Sequence, residues 1–204
     1  HIMILIDDPD NTVIEPLAKT VSDSDKIYDT ELMQNGGSIK GWLLDADKQE
    51  KTDKALSRLT QQIKDRKIQK IYWAVVKNRP PKDEDTLVNY LVRNEKQNKS
   101  YIVKAGTHDA KLAKLKYRVI GHSERYHLIE VELLTGRHHQ IRCQLAGIGC
   151  CIKGDLKYGA PRSNPNGGIC LMARSIRFDH PIRHEEIYVE APVPKDWPEI
   201  SIQQ

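Results

Sequence analysis

The stretch Leu133-Leu134-Thr135-Gly136-Arg137-His138-His139-Gln140-Ile141-Arg142 decides how the rest of this chain is read. An alternating run, Tyr126-His127-Leu128-Ile129-Glu130-Val131-Glu132-Leu133, leads into it and predicts a half-buried strand. Thr135 and Gly136 punctuate the chain, with Thr135 placed as a helix N-cap. Beyond them Ile141, Leu145 and Ile148 recur at helical spacing, and Gly147 and Gly149 mark the stop. The pattern predicts a strand that delivers two arginines, two histidines and a glutamine to the first turns of a helix. Such turns expose unpaired N–H groups and the positive end of a dipole, which suit a phosphate or a carboxylate. On that helix His138 and Arg142 stand at i and i+4 and so share a face. On residue type alone this is a solvated basic helix start. Its place at a glycine-marked strand-to-helix turn argues for a site.

The segment Gly136-Arg137-His138-His139-Gln140-Ile141-Arg142 resembles the G-R-x-H-Q-I-R signature of the RNA pseudouridine synthases of the large-subunit rRNA and tRNA type. Ile152-Lys153-Gly154-Asp155-Leu156-Lys157-Tyr158-Gly159 resembles the block that follows in that family, an apolar residue and then G-D and Y-G. Gln69-Lys70-Ile71-Tyr72-Trp73-Ala74 is similar to its Q-K-x-Y-x-A block, and Leu171-x-Ala173 with His180-Pro181 to its closing block. The resemblance runs from Thr52 to Pro194 and fades before Thr52. It implies an α+β fold, a mixed and mainly antiparallel sheet with packed helices and a central RNA-binding cleft, as one domain over residues 1–204.

The family's reaction breaks the bond from C1′ to N1 of uridine and remakes it to C5. The resemblance implies Tyr72 against the flipped base and Arg142 paired with a catalytic carboxylate that it keeps ionised. It implies Arg137, His138, His139, Gln140 and Lys157 as RNA or scaffold contacts. No metal or organic cofactor is implied, and the expected partner is RNA, either rRNA or tRNA. The aspartate of the family's R-L-D-x-x-T-S-G motif has no counterpart in an ungapped reading, where Gly36 takes its place. A shifted register offers Asp45, and Asp29 is more remote. Two functions therefore stand: an isomerase with a substitute carboxylate such as Asp45, or an inactive relative that binds RNA as an assembly factor. A buried Arg142 without an acid would be costly, so either a substitute acid is present or the cleft is open and Arg142 holds phosphate.

Composition sets wider bounds. The 204 residues suit one well-cored domain, and 32 basic against 28 acidic side chains leave a net charge of +4. The charge is uneven: Arg93, Lys96, Lys99, Lys104, Lys111, Lys114, Lys116 and Arg118 share their segment with only Glu95 and Asp109. A solvated face and a phosphate-binding face explain this equally well. Four cysteines, Cys143, Cys150, Cys151 and Cys170, show no C-x-x-C spacing, and no apolar run has the length of a membrane span. These features predict a cytoplasmic protein with reduced thiols in its core.

Along the chain, residues 3–51 are the least readable, with a turn at Asn35-Gly36-Gly37-Ser38 and a strand from Ile39 to Leu44. From a cap at Thr52 or Asp53, Ala55, Leu56, Leu59 and Ile63 predict one apolar helix stripe. Ile68 to Val76 predicts a central strand, apolar on both faces. Further strands are expected at Thr86 to Val92, Lys116 to Ile120, Cys170 to Phe178 and Ile187 to Ala191.

Overall fold

The computed structural model describes residues 49–65, 67–181 and 183–202, with side chains from residue 57 onward. Gly36, Asp29 and Asp45 lie outside the described residues. The described residues fall into two compact units, divided so that residues 49–69 and 175–192 belong to one and residues 70–174 and 193–202 to the other.

In the first unit, helix α1 (Gln49–Lys64) begins three residues before the expected cap. Leu59 packs with Ile68, Ile176, Phe178, Ile187 and Val189. Ile63 departs from the expected stripe and is 52% exposed. The Gln62 side chain instead fixes this end of the helix: its Nε2 donates to the Asp179 carbonyl at 2.8 Å and its Oε1 accepts from the Asp179 N–H at 3.0 Å. Residues 175–179 of strand β6 (Leu171–Asp179) pair antiparallel with β7 (Glu186–Glu190), Ile176 opposite Val189.

The second unit is built on β1 (Gln69–Val76), β2 (Glu84–Asn94), β3 (Lys99–Val103), β4 (Lys111–His122) and β5 (His127–Leu133). Their order is β3-β2-β4-β5-β1, followed by the first residues of β6. The pairs β2–β3, β2–β4, β4–β5 and β1–β5 are antiparallel. The central place expected for β1 holds, and Ala74, Val75 and Val76 are wholly buried. The β4–β5 hairpin also forms, its turn closed by Ser123 N–H donating to the Tyr126 carbonyl at 2.8 Å. Two strands exceed the sequence reading. β3 is a separate strand inside the basic segment, and β4 starts five residues before Lys116. At the start of β4 the adjacent apolar residues Leu112 and Ala113 break the alternation, although Ala113 and Leu115 face the core. A short strand β8 (Ser201–Ile202) pairs with β4 at Gly121.

Alternation gives this sheet two distinct faces. On one, Val75, Ile120, Leu128 and Cys170 form a core with Trp73, Tyr126, Trp197 and Ile200. On the other, Leu91 and Ala113 pack against Cys143 of helix α2 (Gln140–Gly147) and against Tyr158. Tyr72 lies on this second face, since it alternates with Trp73 and is buried.

Candidate active site

Helix α2 starts at Gln140, five residues after the expected cap. The residue at its N-cap is His139, held in the left-handed region at φ 50°. His138 therefore lies ahead of the helix, and the expected shared face of His138 and Arg142 does not form. Thr135 serves another purpose: its Oγ1 accepts from the Lys114 N–H and contacts Gln140 Oε1, both at 2.8 Å. Gln140 is the centre of the turn. Its Oε1 also accepts from the Arg137 N–H at 3.0 Å, and its Nε2 donates to the Lys114 carbonyl at 3.1 Å. The buried amide thus binds the Gly136–His139 turn to β4. Gly149, at φ +79°, ends the helix where the glycine pattern predicted.

Arg142 has its carboxylate. Nε donates to Asp155 Oδ2 and Nη2 to Asp155 Oδ1, each at 2.8 Å, a bidentate pair. The Asp155 side chain is fully buried and that of Arg142 is 12% exposed. Asp155 Oδ1 also accepts from the Tyr158 N–H at 3.3 Å and caps the 3-10 turn Leu156–Tyr158. Gly154 allows this placement. Its φ is +88°, and a Cβ there would lie 2.5 Å from Asn164 Nδ2 and 2.6 Å from the Gly168 carbonyl.

From the clamp a chain of hydrogen bonds runs to β3. Arg142 Nη1 faces His139 Nε2 at 3.0 Å, and His139 Nδ1 lies 3.1 Å from Tyr158 Oη. A guanidinium can only donate, so Nε2 accepts, the proton sits on Nδ1, and Tyr158 Oη accepts from it. Tyr158 Oη also accepts from the Ser100 N–H at 2.8 Å. Burial, followed by the proximity of Arg142 and then of His138, Lys157 and Arg93, lowers the His139 pKa to about 3, which keeps the imidazole neutral. Burial raises the Tyr158 phenol to about 12. His138 stacks on His139 with ring centroids 3.8 Å apart. Its Nδ1 donates to Ser100 Oγ at 2.9 Å, because that hydroxyl's own proton goes to the His138 carbonyl at 2.7 Å. Its Nε2 lies 2.9 Å from Asn98 Oδ1.

Of the residues expected at the site, Arg142, His138 and His139 come together, and Gln140 supports them from inside. Arg137 is exposed, its Nε donating to the Leu112 carbonyl at 2.9 Å. Lys157 is exposed and donates to the Asn98 carbonyl at 3.0 Å. His139 and Gln140 are buried, and the contacts above use them as scaffold. Asp155, Tyr158, Ser100 and Asn98 were not anticipated. Asp155 had a signal in the sequence, because the charge argument demanded an acid and the G-D block held one. Ser100 and Asn98 had none, since only tertiary pairing brings β3 to this turn. Among the described residues no three His, Cys, Asp or Glu side chains converge as a metal would require.

A family model described as RNA pseudouridylate synthase matches residues 51–147. The "Uncharacterized RNA pseudouridine synthase YlyB" of Bacillus subtilis is 34% identical over 150 residues, 74% of this chain and 48% of that protein. The chain belongs to the RNA pseudouridine synthase family. The "Ribosomal large subunit pseudouridine synthase C" of Haemophilus ducreyi is 30% identical over 148 residues, covering 68% of this chain and 45% of that protein. The chain thus spans about half the length of the curated relatives it matches. The solved "Human RNA Pseudouridylate Synthase Domain Containing 4" superposes with a TM-score of 0.56 at 22% identity, over 74% of this chain and 65% of that one. That likeness concerns the fold, and it agrees with the α+β, mainly antiparallel architecture.

Proposed function

We propose that this protein isomerises uridine to pseudouridine in structured rRNA or tRNA. The observation that carries the reading is the bidentate Arg142–Asp155 pair on the family's signature turn, on the same sheet face as Tyr72. In the reaction the C1′–N1 bond breaks and a C1′–C5 bond forms. C5 loses its hydrogen as a proton and N1 gains one. Tyr72 lies against the flipped base. Arg142, held by Asp155 through Nε and Nη2, is the cation that attracts an anionic group of the reaction, either the catalytic carboxylate or a phosphate. Asp155 is not that catalytic group: it is fully buried and holds Arg142 in place. Asp45 is the candidate carboxylate. Arg137, His138 and Lys157 contact RNA, while His139 and Gln140 shape the turn. Four free thiols support a reducing, cytoplasmic location, and residues 1–204 are read as one family domain, since β6 supplies residues to both units.

The test is tritium release from RNA carrying 5-tritiated uridine, prepared from cells that lack this protein. Release above a no-enzyme control is expected, with Asp45→Ala and Tyr72→Phe each lowering it at least about 100-fold. A folded protein that binds this RNA and releases no tritium would overturn the proposal.

A further inference from the structure

We infer that the sheet face of β2, β3 and β4 opposite α2 is a second RNA contact, a stacking platform for a single-stranded segment flanking the modified uridine. The inference rests on the reading that the protein acts on RNA. Strand alternation and register define the surface. Tyr90 stands between Val103 of β3 and Leu112 of β4, Val88 is opposite Lys114, and Val92 is opposite Tyr101. This face remains open: Val88 is 53% exposed, Tyr101 40%, Leu112 38% and Tyr90 36%. The two tyrosines are diagonal neighbours across β2 and β3, so their side chains reach adjacent parts of one ligand.

The charges around the surface select the ligand. Lys99 Nζ, at the sheet edge, lies 5.2 Å from the Tyr101 ring centroid and 5.1 Å from that of Tyr158, and Lys114 flanks Val88. At the other end Lys116 and Arg118 are matched by Glu132 and Glu130, at 3.8 and 2.9 Å. Among the described residues Lys99 and Lys114 have no acidic partner, so positive charge remains beside the aromatic residues. Sheet-borne aromatics with basic neighbours are how proteins stack the bases of single-stranded nucleic acid. Protein-binding patches, by contrast, are depleted in lysine.

The surface is also continuous with the signature turn. The Leu112 carbonyl accepts from Arg137 Nε, and the Lys114 carbonyl accepts from the N–H groups of Leu134 and Thr135. The same two β4 residues therefore carry the turn on their backbone and the platform on their side chains. A strand leaving the turn at Arg137 meets Leu112, then Tyr90.

The probe is a fluorescent octamer of adenosine, which holds no uridine and so cannot be a substrate at the turn. Its affinity for the full chain is measured by anisotropy. Tyr90→Ala and Tyr101→Ala are each expected to weaken binding about fivefold or more, while Tyr90→Phe and Tyr101→Phe bind as the wild type. Lys114→Gln should lower the salt dependence by about 0.7 in log–log slope. Alanine variants that fold and bind unchanged would overturn the inference, as would no binding of the octamer at all. Either result leaves tritium release at the turn unaffected, so the two failures are distinguishable. A wild-type dimer that Tyr90→Ala converts to monomer in sedimentation would make this face an interface between copies, which also overturns it.

Discussion

Asp155 determines what Arg142 can do. A buried guanidinium with a bidentate acid is oriented to within the geometry of two short hydrogen bonds. Removing one partner leaves the other charge buried, at a cost of about 3–5 kcal/mol. Asp155→Asn should therefore lower the stability measured by denaturant unfolding by about that amount. A loss under about 1 kcal/mol would mean that the pair is far better solvated than its burial indicates. His139 gives the site a pH dependence. Its folded pKa, about 3, lies below the ordinary value of 6.5, so the unfolded chain binds the proton more readily. Linkage then makes stability fall as pH drops from about 6.5 towards 3. His139→Gln should flatten that slope relative to the wild type, measured by unfolding at a series of pH values. An unchanged slope would show that other groups control it. This residue was legible in sequence only as one of a basic cluster. Its neutral state follows from burial and from Arg142 as a donor, neither of which spacing reveals.

At the scale of the elements, the turn into α2 is held by side chain rather than by helix geometry. Sequence patterning found the strand, the glycine stop and the helix, because apolar period and glycine placement are local signals. It set the helix start four residues early, since Thr135 is a good capping residue whose hydroxyl is instead taken by β4. β3 was missed for the opposite reason: Lys99, Tyr101 and the exposed Ile102 do not alternate as a half-buried strand does. The Gly154–Asp155 step is the most demanding local conformation. Gly154→Ala would combine a left-handed backbone with a Cβ overlapping Asn164 and the Gly168 carbonyl. A loss of more than about 1–2 kcal/mol is expected, with a matching drop in Tm. Full stability would show that the 164–168 loop yields without cost.

At the scale of the molecule, the family blocks gave the architecture because each marks an element that the sheet brings together: Tyr72 on β1, the turn before α2, and the Gly154–Tyr158 segment. The carboxylate question was legible as a need, and Asp155 answers the part that concerns the burial of Arg142. The thiols around this network have a practical consequence. Burial raises Cys143 and Cys150 to about 11 and also raises Cys151 and Cys170, so at neutral pH all four are overwhelmingly in the poorly nucleophilic thiol form. Cys143 Sγ lies 3.3 Å from the Ser100 carbonyl and Cys151 Sγ 2.9 Å from that of Tyr158. An alkylating reagent added to the folded protein thus acts as a clock at Cys143, which is buried: it marks that thiol only when the joint between β3 and α2 breathes, and the rate of labelling counts those openings.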